Sequence, residues 1–205
     1  FIFPIKFMEV FRLNDTVEIR WHGRGGQGAK TAALLLGESA AAAGKYIQAF
    51  PEYGPERMGA PVVAYNRISD EPITVHCNVQ EPKYVAVLDS TFVGSVNFTD
   101  GMPDDGVLII NTEVSPAEMR ETLGLGDSAI QVFTVDANKI SLECIGRAIP
   151  NTPMMGALIK ATGLLKLEDL LEDTERKLAK KFRNRPEVIQ GNLKAIRRAY
   201  EEVRG

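Results

Sequence analysis

A cluster of four glycines in residues 23–28 is the part of the sequence best suited to bind a ligand. Gly23, Gly25 and Gly28 have the spacing G-x-G-x-x-G, after the β-type run Val17–Trp21 and before a predicted helix over Gly28–Ala43. At such a turn, backbone N–H groups and the positive end of the helix dipole point at one spot, which attracts phosphate. We therefore expect a phosphorylated ligand to bind the glycine loop, Gly23-Arg24-Gly25-Gly26-Gln27-Gly28.

Arg24 strengthens this prediction, because it adds a cation with a planar set of donors beside the amides. A nicotinamide or flavin site would also need an acidic residue about 20 positions further on, at the end of the second strand. Glu52 is nearby, but it follows Pro51 in a predicted loop. A phosphate loop of the Walker type is excluded, since Ala29 separates Gly28 from the lysine that should follow it directly. A tight turn without a ligand stays an alternative.

A second unusual loop lies between two predicted strands. Residues 49–61 read Ala-Phe-Pro-Glu-Tyr-Gly-Pro-Glu-Arg-Met-Gly-Ala-Pro, and three prolines and two glycines make this segment stiff and irregular. Connections of this length often carry function. Arg57 is a second candidate phosphate ligand and Glu52 a candidate hydrogen-bond acceptor, although Glu56 and Arg57 could equally form a solvated charge pair.

Several kinds of active site are excluded by what the sequence lacks. Cys77 and Cys144 are the two cysteines, too few to hold an iron–sulfur cluster of four thiolates. His22 and His76 are the two histidines, and neither has metal-ligand spacing around it. We predict no catalytic residue and no metal ligand on this chain. The cysteines favour reduced thiols and a cytoplasmic protein.

Strand-type runs alternate with helices, which is typical of an α/β fold with a mostly parallel, open sheet. The predicted strands are Val17–Trp21, Tyr46–Phe50, Val62–Ile68, Ile73–Cys77, Tyr84–Leu88, Val107–Asn111 and Ile130–Val135. The third and fourth, joined by Ser-Asp-Glu-Pro, are predicted to form a β-hairpin. Ser115, Pro116 and Glu118 predict a capped helix start.

Polar residues follow two of the predicted strands, at Asp89-Ser90-Thr91 and Asn111-Thr112. Because ligands bind at the carboxyl ends of parallel strands, these residues could line the same cleft as the glycine loop. The alternative is that they cap the helices that follow them.

The chain divides into three predicted parts. Residues 1–16 form an N-terminal extension without the features of a signal peptide, residues 17–150 an α/β core, and residues 151–205 a C-terminal helical segment. From Arg176 to Arg198 this segment holds nine basic residues and one acidic residue, although the net charge of the chain is −3. An apolar seam on the last helix favours packing on the core or on a partner subunit over binding of nucleic acid. No run of about 18 apolar residues suggests a membrane span.

Three motifs in the same order resemble the gamma subunit of pyruvate (or 2-ketoisovalerate):ferredoxin oxidoreductase. They are the segment from Val17 through the glycine loop, the proline-rich loop of residues 49–61, and Ile149-Pro150-Asn151-Thr152-Pro153-Met154. The similarity runs from about Val17 to the C-terminus, and it is far more specific than the glycine loop alone.

The resemblance implies a function for the chain and its site. Enzymes of this family decarboxylate a 2-oxoacid on thiamine pyrophosphate with Mg, pass electrons through 4Fe–4S clusters to ferredoxin, and transfer the acyl group to coenzyme A. The gamma subunit would bind coenzyme A, and alpha, beta and delta-type subunits would hold the other cofactors. The coenzyme A site would comprise the glycine loop (Gly23, Arg24, Gly25, Gly26, Gln27, Gly28) with Glu52, Arg57 and Asn151.

Two other functions remain open from the residues alone. The same glycine loop would serve a stand-alone reductase that uses NAD(P) or a flavin. A pure interaction module would bind no nucleotide at all. The absence of thiamine and cluster motifs from this chain favours a subunit over either.

Overall fold

A computed structural model describes residues 16–52 and 59–205 of the chain. In these ranges the strands are β1 (Val17–Arg24), β2 (Tyr46–Pro51), β3 (Pro61–Ser69), β4 (Tyr84–Val87), β5 (Val107–Asn111) and β6 (Gln131–Val135). The α-helices are α1 (Ala29–Ala42), α2 (Pro116–Thr122), α3 (Ala137–Ile145), α4 (Asn151–Thr162), α5 (Leu167–Lys181) and α6 (Pro186–Glu202). A single 3-10 turn covers Ser90–Phe92.

The six strands form one sheet in the order β2-β3-β1-β4-β5-β6. Strands β1, β4, β5 and β6 are parallel to one another, whereas β3 is antiparallel to both β1 and β2. Strand β2 therefore runs in the same direction as β1, and β3 alone is reversed. The predicted mostly parallel α/β sheet with a C-terminal helical part is confirmed.

The first face of the sheet, which we call the helical face, is covered by α1 and α4. Ile19 and Trp21 of β1 and Ile109 of β5 are fully buried there among alanines, methionines and leucines of the two helices. Helices α3, α5 and α6 extend the same core. Two glycines allow close helix packing: a Cβ atom at Gly156 would lie 2.1 Å from the Ile196 carbonyl oxygen, and one at Gly191 2.5 Å from that of Cys144.

The second face, which we call the loop face, is covered by α2 and by irregular segments. Its apolar half gathers Val85 and Val87 of β4, Leu108 and Ile110 of β5, and Phe98. Its other half, on β1 and β3, carries charged and polar side chains that are nonetheless buried: Arg20, His22, Tyr65 and Arg67. The alternation of strand side chains places them opposite the apolar residues of the helical face.

The prediction that residues 73–77 form a β-hairpin with β3 is wrong. Residues 73–77 form no strand, and β3 instead pairs with β2 on one side and β1 on the other. Both edges of β3 are paired with strands that come earlier in the chain, β1 and β2. Residues 73–77 therefore have no free edge of β3 to pair with. The antiparallel part of the sheet exists, but β3 forms it with β2 and β1.

Helix ends follow the local chemistry. Ser115 and Glu118 form the predicted capping box, with Pro116 as the first residue of α2. Helix α4 begins at Asn151, and Thr152 and Pro153 lie in its first turn. At the outer edge of the sheet, the backbones of Thr134 and Arg204 exchange two hydrogen bonds of 2.8 and 2.9 Å, so the segment after α6 covers β6.

Within the described ranges, no helix is long and apolar enough to cross a membrane. Cys77 and Cys144 are free thiols, but Cys77 is exposed and Cys144 half-buried, whereas buried thiols were expected. The division of the chain at residue 150 stays a prediction, although helices on both sides of that boundary share the core of the helical face.

Candidate functional site

The glycine loop lies at the carboxyl edge of the sheet, between the end of β1 and the start of α1. Gly28 is the N-cap of α1 with φ +85°, and Gly26 has φ +99°, both in the left-handed region that favours glycine. No side chain caps α1 in the described part of the protein. The hydrogen bond from Ala32 N to Gly28 O opens the helix, and the N–H groups in the first turn of a helix point towards its N-terminal end.

Arg24 does not point freely into solvent. Its Nε donates to Asp89 Oδ2 at 3.0 Å, Nη1 donates to Gly59 O at 3.2 Å, and Nη2 donates to Thr91 Oγ1 at 2.9 Å. Its guanidinium carbon lies 4.3 Å from the centre of the Phe92 ring. These contacts fix the side chain and pair its charge within the protein, so Arg24 organises the loop before any ligand arrives.

Gln27 is the second organising side chain of the loop. Its Oε1 accepts a hydrogen bond from Arg24 N at 2.8 Å, and its Nε2 donates to Asp89 Oδ2 at 2.7 Å. Gln27 N also donates to Arg24 O at 3.0 Å. The backbone at the end of β1 is therefore held from both sides by one residue three positions later.

Asp89, at the end of β4, is the centre of this network. Its Oδ2 accepts from Arg24 and Gln27, while its Oδ1 accepts from Thr91 N at 3.0 Å and Thr91 Oγ1 at 2.6 Å. Burial alone would raise the pKa of Asp89, but the hydrogen bonds from Thr91 and Gln27 and the charge of Arg24 outweigh it. The pKa therefore lies below its ordinary value and the carboxylate is ionised at neutral pH.

The glycine loop is bonded to the end of the second loop. Gly25 N donates to Ala60 O at 2.8 Å, and Gly59 N donates to Gly25 O at 3.1 Å. With the contact between Arg24 and Gly59, three hydrogen bonds join the two loops that the sequence singled out. Arg57 itself lies outside the described residues, so its predicted role stays a prediction.

Asn151 contacts the glycine loop, although it lies more than 120 positions away in sequence. It is the first residue of α4, and its Oδ1 accepts a hydrogen bond from Thr152 N at 2.8 Å. A Cβ atom at Gly28 would lie 2.8 Å from its Nδ2. The amide of Asn151 therefore packs directly on the N-cap of α1, where the sequence predicted a site residue.

Glu52 lies apart from this cluster. It follows β2, its N donates to Val63 O at 2.8 Å, and its Oε2 accepts from the Tyr65 hydroxyl at 3.2 Å. Among the described residues it makes no recorded hydrogen bond to the glycine loop. Strand β3 lies between β2 and β1, which sets the end of β2 two strand spacings, about 10 Å, from the end of β1.

This separation bears on the dinucleotide interpretation. A nicotinamide or flavin fold places the acidic ribose ligand on the strand next to the glycine strand. Here the neighbours of β1 are the reversed strand β3 and strand β4. The acidic side chain beside the loop is that of Asp89, two residues after β4, and Arg24, Gln27 and Thr91 already occupy its oxygens.

Comparison with known proteins identifies the family of this chain. Residues 18–202 match the family described as pyruvate ferredoxin/flavodoxin oxidoreductase. The chain belongs to this family. Apart from Val17, the first residue of β1, the match covers the six strands and six helices of the described structure.

Relatives in the oxidoreductase family are similar over most of their length. The pyruvate synthase subunit PorC of Thermotoga maritima is 48% identical over 187 residues, which cover 91% of this chain and 94% of the relative. The common gamma subunit of pyruvate/ketoisovalerate oxidoreductases of Pyrococcus furiosus is 45% identical, with coverage of 91% and 97%.

Two solved structures share the fold of this chain. The crystal structure of pyruvate oxidoreductase subunit PORC of Thermotoga maritima matches with a TM-score of 0.79 and 45% identity, covering 92% of this chain and 97% of that one. A 2-oxoglutarate:ferredoxin oxidoreductase of Magnetococcus marinus, solved with 2-oxoglutarate, coenzyme A and succinyl-CoA bound, matches with a TM-score of 0.71 at 17% identity. It covers 91% of this chain and 30% of that one, and at this identity it shows the fold alone.

The sequence alone did not decide the role of Asp89. Its position after a buried strand indicated either a ligand cleft or a cap. The structure shows that it caps the turn of Ser90–Phe92 and also binds the glycine loop. The second predicted cluster behaves differently: Asn111 Nδ2 donates to Leu88 O at 2.8 Å, and its Oδ1 accepts from Asn138 N at 3.2 Å, so it joins β5 to its neighbours.

Proposed function

We propose that this chain is the gamma-type subunit of a pyruvate or 2-ketoisovalerate:ferredoxin oxidoreductase, and that its glycine loop binds coenzyme A. The observation that carries the proposal is the uncapped N-terminus of α1, preceded by the left-handed glycines Gly26 and Gly28. The named functions of the relatives, at 45–48% identity over nearly their whole length, supply the substrate class.

The loop would bind the phosphates of coenzyme A through backbone N–H groups at the start of α1. Hydrogen bonds to a charged acceptor contribute about 1.5–3 kcal/mol each. The α1 dipole adds favourable electrostatic energy at the same point. Asn151 is placed to donate from Nδ2 beside Gly28, and Arg24 serves chiefly to hold the loop, since Asp89 already pairs with its charge.

Catalysis by this chain would then be positional. Holding coenzyme A at the carboxyl edge would present its thiol to an acyl group carried by a partner subunit, which makes a bimolecular transfer effectively unimolecular. Thiamine pyrophosphate with Mg and the 4Fe–4S clusters would lie on alpha, beta and delta-type partners, which pass electrons to ferredoxin. No proton or electron transfer is required of residues on this chain, and a cytoplasmic location is the matching expectation.

The first prediction tests the anion site with a matched pair at Gly26. A side chain there has open space, because nothing lies within 4 Å of a Cβ atom at this position. Asn and Asp tolerate positive φ similarly and have nearly the same shape, so Gly26→Asp and Gly26→Asn differ mainly in charge. In the assembled complex, Gly26→Asp should raise the KM for coenzyme A about tenfold relative to Gly26→Asn, which corresponds to about 1.4 kcal/mol.

The control reaction is decarboxylation of the 2-oxoacid without coenzyme A, which both variants should leave unchanged. Equal KM values for the two variants, or equal loss in both reactions, would contradict coenzyme A binding at the loop. A native pull-down of the chain that recovers no thiamine- or cluster-binding protein would contradict the assignment as a subunit.

A further inference from the structure

We infer that Asp89 is the positioning residue of the coenzyme A site: its carboxylate sets the shape of the glycine loop and ties it to the second loop. This inference rests on the proposed function and deepens it. Asp89 is not part of the glycine motif, and it is not expected to touch the ligand.

The first step of the argument is the number and direction of its contacts. Both carboxylate oxygens are used, one by Arg24 and Gln27 and the other by Thr91, at distances of 2.6–3.0 Å. The donors come from the glycine loop and from the turn after β4. A single side chain thereby joins the glycine loop to a turn that lies about 65 positions later in the chain.

The second step is why a carboxylate is required. Asp89 is 9% exposed, so its oxygens exchange little with water. An asparagine would keep one acceptor oxygen and turn an N–H₂ group towards two donors, which leaves polar groups unpaired in a mostly buried place. It would also remove the charge that balances the Arg24 guanidinium.

The third step is the path from Asp89 to the amides that would meet phosphate. Gln27, held by Asp89, accepts from Arg24 N and so fixes the entry of the loop. Arg24, held by Asp89, donates to Gly59 O, and Gly25 bonds to Gly59 and Ala60. If the carboxylate is lost, the anchors of both loops loosen together, while the strands beneath keep their ladders.

The experiment is Asp89→Asn in the assembled oxidoreductase, with Asp105→Asn as the matched control. Asp105 makes the same kind of ion pair, with Lys83, but on the exposed surface. Asp89→Asn should raise the KM for coenzyme A about tenfold, the equivalent of one lost charge-assisted hydrogen bond. The KM for the 2-oxoacid and the rate of decarboxylation without coenzyme A should match those of Asp105→Asn.

Amide hydrogen exchange gives a readout that does not depend on turnover. In Asp89→Asn the amides of Arg24 and Gly25 should exchange at least about tenfold faster, while those of β4 and β5 stay protected. If Asp89→Asn does not assemble, Gln27→Met replaces it, because it removes two contacts of the same network at a partly exposed position. The same outcomes then apply.

The two proposals fail separately. If Gly26→Asp raises the KM for coenzyme A relative to Gly26→Asn but Asp89→Asn does not, the positioning role is wrong and the coenzyme A site stands. A fall in kcat with no change in KM would also overturn the positioning role. If the Gly26 pair shows no difference while exchange in Asp89→Asn increases, the network is real but the site does not bind coenzyme A.

Discussion

The two faces of the sheet are stabilised in different ways. On the helical face, Ile19, Trp21 and Ile109 are buried against α1 and α4 in a continuous apolar core. On the β1–β3 half of the loop face, Arg20 and Arg67 are also buried but depend on specific hydrogen-bond partners. Burial of apolar surface is non-directional, whereas a buried charge is tolerated only with its partners in place.

This difference separates stability from function in the molecule. The helical face contains the apolar mass that fixes the fold and orients β1 and β4. On the loop face, the same two strands lead to Arg24 and Asp89, which hold the glycine loop. Substitutions on the helical face should therefore lower the free energy of unfolding through lost apolar contacts. Substitutions on the loop face should lower it through the loss of individual hydrogen-bond or charge partners, in a way that depends on pH.

The largest effect is expected for Ile109→Ala in the purified chain. Ile109 is fully buried in β5 on the helical face, so the substitution removes apolar contacts and leaves a cavity. The free energy of unfolding should fall by about 3–4 kcal/mol. Denaturant unfolding followed by circular dichroism measures this change.

The control for Ile109→Ala is Ile109→Val, which deletes one methylene and should cost about 1 kcal/mol. A loss below about 1 kcal/mol for the alanine variant would contradict the tight packing of the helical face. Changes in denaturant dependence should be small in both variants, because the surface exposed on unfolding hardly changes.

A somewhat smaller effect is expected for Glu18→Gln on the loop face. Arg67 is 2% exposed, and its Nε donates to Glu18 Oε1 at 2.6 Å. Neutralising Glu18 leaves a buried guanidinium without its counter-charge, so the free energy of unfolding should fall by about 3 kcal/mol. The measurement is the same denaturant titration.

The double variant Glu18→Gln, Arg67→Met distinguishes a buried charge from general disruption. Removing both partners leaves no uncompensated ion, so most of the lost stability should return, to within about 1 kcal/mol of the wild type. Additive losses in the double variant would show that the pair is not the source of the cost.

Local patterns predicted much of this fold, because the elements are coded by short stretches. The apolar runs of β4, β5 and β6 and the capping box at Ser115 appear in the structure where the sequence placed them. The error at residues 73–77 has a long-range cause, since whether an apolar run becomes a strand depends on an open edge to pair with. Pairing of β1 with β3, whose partner residues lie 37 to 51 positions apart, is not visible in either segment alone.

The candidate site shows the same limit. The spacing of the glycines is local and predicts a turn, whereas Asn151 was predicted chiefly through the resemblance to a family. Arg24 was predicted to bind phosphate, and its pairing with Asp89, 65 positions away, is not visible in the local sequence. A sequence indicates which groups are charged, but the fold decides which of those charges are already paired.

The smallest expected effect is a pH dependence on the loop face. His22 is 9% exposed and lies edge-on to Phe98, and burial together with the charge of Arg20 lowers its pKa to about 4. In the unfolded chain its pKa is about 6.5, so between pH 6.5 and 4 the unfolded state binds a proton that the folded state does not. Stability should therefore fall as the pH is lowered through this window, by about 2 kcal/mol from pH 6.5 to pH 5.

The variant His22→Phe keeps a ring against Phe98 and cannot be protonated. The difference in the free energy of unfolding between this variant and the wild type should therefore change between pH 6.5 and 4, and stay constant above pH 7. His76→Gln is the matched control, because it removes an exposed histidine and should retain the wild-type slope. Asp89 acts only at lower pH: its folded pKa is depressed, so its contribution is present above the unfolded value of about 3.9 and is lost as the pH falls through the folded value. Denaturant titrations at half-unit steps from pH 5 to 8 therefore measure the contribution of His22. If the free energy of unfolding changes with pH in the same way for wild type and His22→Phe, the imidazole of His22 is not a buried neutral group.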